Sequence, residues 1–115
     1  MHGQEVDEKV ANALLTKFEQ GQIYHDDLPE NGNYPMIQYT DLTVTPSLHA
    51  DNALYGYEHI IRVTIVTHGS FGVNALINNV FDCMTEAGFV WQNTSKAKDG
   101  KELYTAMDFA IGVLN

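Results

Sequence analysis

The stretch YGYEHIIRVTIVT, residues 55–67, contains the clearest secondary-structure pattern in the chain. Its odd-numbered positions carry aromatic or β-branched side chains and His59, whereas its even-numbered positions include Glu58, Arg62 and Thr64. Successive side chains of a β-strand point to opposite faces of a sheet, so this alternation predicts a half-buried strand. We expect this strand to be central in its sheet.

The segment in front of this strand, residues 46–54, follows neither a helical nor a strand period. It begins with Pro46 and contains Leu48 and Leu54, which nothing in the local pattern would bury. We therefore expect an irregular apolar arm that is ordered mainly by a neighbouring subunit. The alternative is that the arm folds back over the domain's own sheet.

Two segments show the apolar spacing of amphipathic helices. In residues 5–20 and 73–87, apolar side chains recur every three or four positions. Ser70 is a suitable N-cap for the second helix, and Gly88 is placed to end it. Between the first helix and the next element, residues 22–35 contain prolines and an Asn-Gly pair, so we expect a loop without regular structure there.

Three further strands are predicted, at residues 36–44, 89–93 and 103–113, with a polar turn at residues 94–102. The last two strands are expected to form a hairpin. The element order is then α-β-β-α-β-β in a single domain, residues 1–115. Because the β-β connections are short, this order predicts an α+β two-layer fold, in which two helices cover one face of a four-stranded, mostly antiparallel sheet.

The composition limits the possible partners. Six Lys and Arg stand against fifteen Asp and Glu, a net charge of −9, which disfavours specific nucleic-acid binding because such proteins need a basic surface for the phosphates. Cys83 is the single cysteine, so no intrachain disulfide can form. We also expect no secretory signal and no membrane span, since no apolar run is long enough.

Two short clusters contain ligand-type side chains, His25-Asp26-Asp27 and His49-x-Asp51. A metal site needs three or four converging ligands, and adjacent loop residues rarely converge by themselves. We therefore read both clusters as solvated polar loops and predict no metal site.

The remaining chemically interesting residues favour packing over catalysis. His59 lies on the apolar side of the central strand, where a core histidine bonded to a neighbour is expected. Cys83 lies among apolar helix positions, so burial should raise the pKa of its thiol. Residues 69–75, GSFGVNA, lack a phosphate-binding signature, and no nucleophile motif is present. We predict no enzyme activity and no cofactor.

Apolar and aromatic side chains in predicted loops or on uncovered faces indicate an interface, because such residues are enriched where proteins meet. The predicted oligomer or partner contacts are Leu48, His49, Leu54, Tyr55, Trp91 and Tyr104.

Four stretches together resemble a known family: YPMIQYTDLTVTPSLHADN, YGYEHIIRVTIVTHG, MTEAGFVWQ and ELYTAMDFAIGV. They are similar in order and character to the tail completion (tail terminator) proteins of long-tailed phages and prophages. The likeness covers roughly residues 34–113 and includes no catalytic signature.

The resemblance implies a structural protein that forms a hexameric ring on the end of the tail tube. Such a ring stops tube polymerisation and forms the surface that docks to the head. The implied partners are other copies of the chain, the tail tube protein and a head-completion or connector protein. The implied location is the head–tail interface of a virion assembled in the cytoplasm of a bacterial host.

Two other classes of function stay open from the residues themselves. One is a small acidic protein-binding module or inhibitor without catalysis. The other is a small hydrolase that uses a histidine and an aspartate from the loops. The mass of the protein in solution distinguishes a ring from a binding module.

Overall fold

The computed structural model describes residues 2–30, 32–48, 54–70 and 72–114. These residues form a mixed α+β fold with two α-helices and one sheet. In chain order the elements are α1 (His2–Leu14), a 3-10 turn (Gln20–Gln22), β1 (Ile23–His25), β2 (Met36–Leu48), β3 (Leu54–His68), α2 (Val73–Glu86), β4 (Val90–Asp99) and β5 (Glu102–Leu114).

The sheet has five strands in the order β1-β2-β3-β5-β4, so β3 is central, as predicted. β1 is parallel to β2, and all other neighbouring strands are antiparallel. The prediction of four strands was wrong, because β1 lies in the segment expected to be an irregular loop. β1 has three residues, too few to produce a visible alternation.

Both helices pack on one face of the sheet, where the core lies. Ile37 pairs with Ile65, and Ile61 pairs with Phe109, so the inward positions of β2, β3 and β5 are aligned across the strands. They meet apolar side chains of the helices in one buried cluster, which includes Val6, Val10, Leu14, Val80 and Met84. Fully burying one such side chain contributes roughly 1.5–3 kcal/mol.

The helix boundaries differ from those expected. α1 ends at Leu14, six residues earlier than predicted, and the chain continues in turns, with the Thr16 hydroxyl donating to the Ala13 carbonyl at 2.7 Å. The apolar spacing extends to Phe18 although the helix does not, because the Phe18 side chain packs into the core from this turn. At the start of α2 the N-cap position is Gly72, in a left-handed conformation with φ 75°, and not Ser70.

The last hairpin is longer than predicted. β4 runs to Asp99, where it pairs with Glu102, so the expected nine-residue turn is two residues long. Gly100 has φ 64°, which fits the first central position of a type II′ turn. The alternation signal is missing in β4 because the whole strand is exposed and has no buried side to fill with apolar residues.

Candidate assembly surfaces

The described residues of the predicted irregular arm, 46–48 and 54, belong to the strands of a long β-hairpin, and residues 49–53 lie outside the described chain. β2 continues through Pro46 to Leu48, and the register pairs Pro46 with Tyr57 and Leu48 with Leu54. The prediction that this strand ends at residue 44 was therefore wrong. A proline is tolerated in a strand that has a free outer edge, and β1 covers β2 only at residues 37–39 within the described chain.

Four of the six predicted interface residues belong to the end of this hairpin or to its connection. Leu48, Leu54 and Tyr55 lie in its last described strand positions, while His49 lies outside the described residues. The structure thus brings three of them together, by backbone pairing that the sequence reasoning did not anticipate. The protein is elongated, with extents of 50 × 24 × 24 Å.

A polar pair of one buried and one partly buried side chain lies at an irregularity between β2 and β3. The register of β2 and β3 shifts between Asp41 and Thr43, which is a β-bulge at Leu42. Beside it, Nδ1 of His59 lies 2.8 Å from Oδ2 of Asp41, and the His59 side chain is fully buried. The prediction of a core histidine bonded to a neighbour is confirmed.

The sheet face opposite the helices is mostly polar, and one ion pair lies on it. The Arg62 guanidinium donates two hydrogen bonds to Asp108, at 2.9 and 3.1 Å, and this raises the pKa of Arg62. Asn93 lies on the same face, with its amide nitrogen 3.4 Å from Asp108. Two parallel hydrogen bonds to one carboxylate favour a single orientation of the Arg62 guanidinium. The position of this charged group on the sheet face is therefore defined.

Tyr104, another predicted interface residue, lies half-buried on this same face. Desolvation raises the pKa of Tyr104, and the negative charge of Glu102 adds to the effect. Glu102 also accepts a hydrogen bond from the Tyr34 hydroxyl, and the Tyr34 ring stacks on His68. The end of the connection before β2 therefore covers part of the face that the helices leave open.

The fold is similar to that of a virion chain. That chain comes from a structure described as the virion of a native gene transfer agent particle, and the match has a TM-score of 0.62 at 11% sequence identity. It covers 91% of this chain and 92% of the other. No protein-family profile matches the sequence, and no curated protein matches it.

One edge of the sheet is β4, whose ten residues are all exposed. Trp91, the last of the predicted interface residues, is 45% exposed there, and its indole N–H donates to the Thr94 hydroxyl at 2.8 Å. Val90 beside it is 61% exposed. Further along the strand lie Lys96 and Lys98, so this edge combines apolar and basic side chains.

The other edge is β1, which has a cavity beside it. The cavity has a volume of about 210 Å³ and lies between α1, the 3-10 turn, β1 and β2. Its lining combines aliphatic, polar and aromatic side chains: Ala11, Leu15, Gln20, Ile23, His25 and Tyr39. Sequence reasoning missed this cavity because the strand that forms one wall was not recognised.

His25 belongs to this edge strand and not to a loop, so that part of the prediction was wrong, although its side chain is 43% exposed. Its ring stacks on Tyr39 with centroids 4.7 Å apart, and its Nε2 lies 3.4 Å from Asp7 and 3.6 Å from Asp26. Asp26 in turn accepts a hydrogen bond from the Thr40 hydroxyl at 2.7 Å. The other predicted polar cluster, at His49 and Asp51, lies outside the described residues.

Within residues 2–30, 32–48, 54–70 and 72–114, no three His, Cys, Asp or Glu side chains lie close enough together to hold a metal ion. Cys83 is buried, and desolvation raises the pKa of its thiol to about 11, as expected for a packing residue. No helix in the described chain is long and apolar enough to cross a bilayer.

Proposed function

We propose that this chain is a structural protein of a phage-like virion that caps the tail tube, stops its polymerisation and forms the head-docking surface as a hexameric ring. The observation that carries the proposal is the fold similarity to a virion chain over more than nine-tenths of both proteins. The sequence resemblance to tail completion proteins supports the finer assignment to the tail end. The role requires no catalysis.

The geometry of the sheet suits a ring. A closed ring of identical subunits needs two different surfaces, so that each copy binds the next through a head-to-tail contact. The edges β1 and β4 lie at opposite ends of the strand order and differ in character, one with a cavity and the other with exposed apolar and basic side chains. A single chain thus carries two distinct candidate contacts.

The long hairpin is suited to bind a second partner. Beyond the bulge at Leu42, β2 and β3 continue as a paired ladder to Leu48 and Leu54. A ring of six subunits would present six such hairpins to the tail tube protein below or to the connector above. We therefore assign the predicted interface residues Leu48, Leu54 and Tyr55 to contacts with these virion partners.

Electron microscopy of the purified protein, with and without tail tubes, tests the proposal. We expect six-fold rings at tube ends, and tubes of more uniform length when the protein is present during polymerisation. A variant with Leu48→Asp and Leu54→Asp should lose binding to tubes, whereas Leu42→Asp, at an exposed position outside the hairpin end, is the matched control. A protein that leaves tube length unchanged would favour an acidic binding module instead.

A further inference from the structure

We propose that neighbouring copies of this chain join edge to edge, with Trp91 on β4 of one copy inserted into the cavity beside β1 of the next. The inference rests on the proposed ring and specifies which two surfaces form it. The occupant of the cavity is thus a side chain of a second copy of the same protein.

Trp91 and the cavity lie on the same side of the sheet. Trp91 is paired with Phe109, whose buried side chain belongs to the core beneath the helices. The cavity is bounded by Ala11 and the neighbouring Leu15 after α1, and by Tyr39, which also belongs to the helix-side core. If the sheet continues from one copy to the next, both features therefore face each other on the helix side.

The strand directions allow this continuation. β1 is parallel to β2, and three successive antiparallel pairings connect β2 to β4, so β4 runs opposite to β1. An edge strand presents unpaired backbone N–H and C=O groups that can bond to a further strand. β4 of one copy and β1 of the next would then form an antiparallel contact, like the other long pairings of the sheet.

The cavity also suits an indole chemically. Its aliphatic wall is formed by Leu15, which is 46% exposed, and Ile23, and its aromatic wall is the stacked pair of His25 and Tyr39. Tryptophan is among the residues most often found at the energetic centre of interfaces, where it fills a desolvated pocket. An exposed tryptophan and an open cavity with aliphatic and aromatic walls are complementary surfaces on one small protein.

The charge distribution indicates that the partner is another copy. Residues 90–101 contain three of the six basic residues and one of the fifteen acidic ones, which gives +2 for this segment and −11 for the rest of the chain. The basic β4 edge therefore attracts the acidic remaining surface of a second copy. That acidic remaining surface repels nucleic acid. Lysines on an edge strand can also have a second role, because they disfavour non-specific pairing with the strands of other proteins. Attraction of a second copy and protection of the edge predict different results for lysine variants.

Sedimentation velocity of the full chain over a range of concentrations provides the test. We expect Trp91→Ala to weaken self-association about thirtyfold or more, as loss of a central interface residue does. Leu15→Arg should block the cavity and have a similar effect. Phe81→Ala, at a position that is 40% exposed on α2, and Leu42→Arg are the matched controls and should assemble like the unchanged protein.

A mixture of the two defective variants gives a sharper result. The Trp91→Ala variant keeps an intact cavity, and the Leu15→Arg variant keeps an intact tryptophan, so each mixed pair can make one contact. We expect the mixture to form heterodimers and nothing larger. If the mixture stays monomeric, if Trp91→Ala assembles normally, or if the unchanged protein does not associate below about 1 mM, the edge contact is wrong.

The lysines are tested with Lys96→Glu and Lys98→Glu combined. This variant should associate at least tenfold more weakly, since its two new carboxylates would face the acidic surface of the neighbouring copy and like charges repel. Non-specific aggregation of this variant would show that the lysines only protect the edge. Loss of binding to a 30-base-pair DNA duplex, with self-association unchanged, would instead assign the edge to nucleic acid and overturn the proposal.

The failure of this contact and the failure of the proposed function are distinguishable. If the protein is found at the tail end of virions but Trp91→Ala particles contain complete rings, the edge contact is wrong and the virion role stands. If the protein is absent from virions yet the mixed variants form heterodimers, the contact stands and the proposed function is wrong.

Discussion

At the scale of single residues, the buried His59 is paired with the partly buried Asp41 at the bulge between β2 and β3. Removing one partner leaves the other desolvated and unpaired, so His59→Phe should lower the free energy of unfolding by about 3 kcal/mol. Replacing both residues, with His59→Phe and Asp41→Leu, should recover most of this loss, since an apolar pair of similar volume is often neutral. Urea unfolding of the two single variants and the double variant measures the coupling.

Leu42→Ala is the control for this cycle, because Leu42 lies at the same bulge but is exposed. It should change stability by no more than about 0.5 kcal/mol. A double variant that is as unstable as the sum of the two single variants would show that the two side chains do not act as a pair.

Asp7 provides a pH-dependent test of the β1 edge. Burial raises the pKa of its carboxyl group, Asp41 and Asp26 add to the rise, and His25 opposes it. The folded state therefore binds this proton more tightly than the unfolded state, and the resulting stability is lost as the pH rises through the raised pKa. Asp7→Asn should be more stable than the unchanged protein at pH 7, and the gain should shrink as the pH falls through the raised pKa of Asp7 and vanish below the ordinary value of 3.8.

Thermal unfolding between pH 3 and pH 8 checks this expectation, with the exposed Asp27→Asn as the control. A destabilising effect of Asp7→Asn at pH 7 would contradict it, because the contact between Asp7 and His25 would then outweigh the cost of burying the carboxylate.

The sequence predicts the environment of single residues when the residue lies within a clear period. His59 and Cys83 both lie on apolar faces, and both are buried as expected. Their partners are harder to predict: Asp41 meets His59 only because two strands pair in a particular register. His25 was misread for the same reason, since its contacts to Asp7 and Tyr39 come from α1 and β2.

At the scale of elements, the turn between β4 and β5 depends on Gly100. Any other residue at this position would have to adopt the left-handed backbone conformation of Gly100, which is strained for a residue with a Cβ. A Cβ added there would not clash, because no heavy atom lies within 4 Å of it. Gly100→Ala should therefore destabilise the protein by about 1 kcal/mol through backbone strain alone. Gly21→Ala is the control, because Gly21 has equally open surroundings without a positive φ, and an equal loss there would refute the assignment of the turn.

The pairing of the β2–β3 hairpin predicts different rates of amide hydrogen exchange along its two strands. Its paired ladder predicts that backbone amides near Gly56, which pair on both sides, exchange with solvent more slowly than those of Ser47, which pairs on one side. Hydrogen exchange on the Trp91→Ala variant measures this without self-association. Uniformly fast exchange across residues 46–58 would support the irregular arm that the sequence suggested.

Elements with a buried face were predictable, and elements without one were not. The periods of α2 and β3 reflect burial against the core, and their positions were predicted to within about two residues. β4 has no buried residue, and the outer part of β2 contains a proline and a bulge, so neither has a regular pattern to read. Both are surfaces that we assign to assembly.

At the scale of the whole molecule, the order of the long elements and the two-layer arrangement could be predicted from the sequence, because each helix has one apolar stripe and the sheet has one apolar face. The fifth strand could not, since three residues held by a parallel pairing with β2 carry no local signal. The sequence also did not predict that β1 and β4 form the two edges of the sheet, because this follows from the strand order. The difference between these two edges is the basis of the proposed ring.

Immunogold electron microscopy of virions purified from cells that encode this chain tests the virion role most directly. An antibody against the purified protein should label each particle at one position, where the tail joins the head. Particles from cells in which the chain carries Leu48→Asp and Leu54→Asp should lack the label and have tails of irregular length. Virions that form normally and carry no label would contradict a structural role at the tail end.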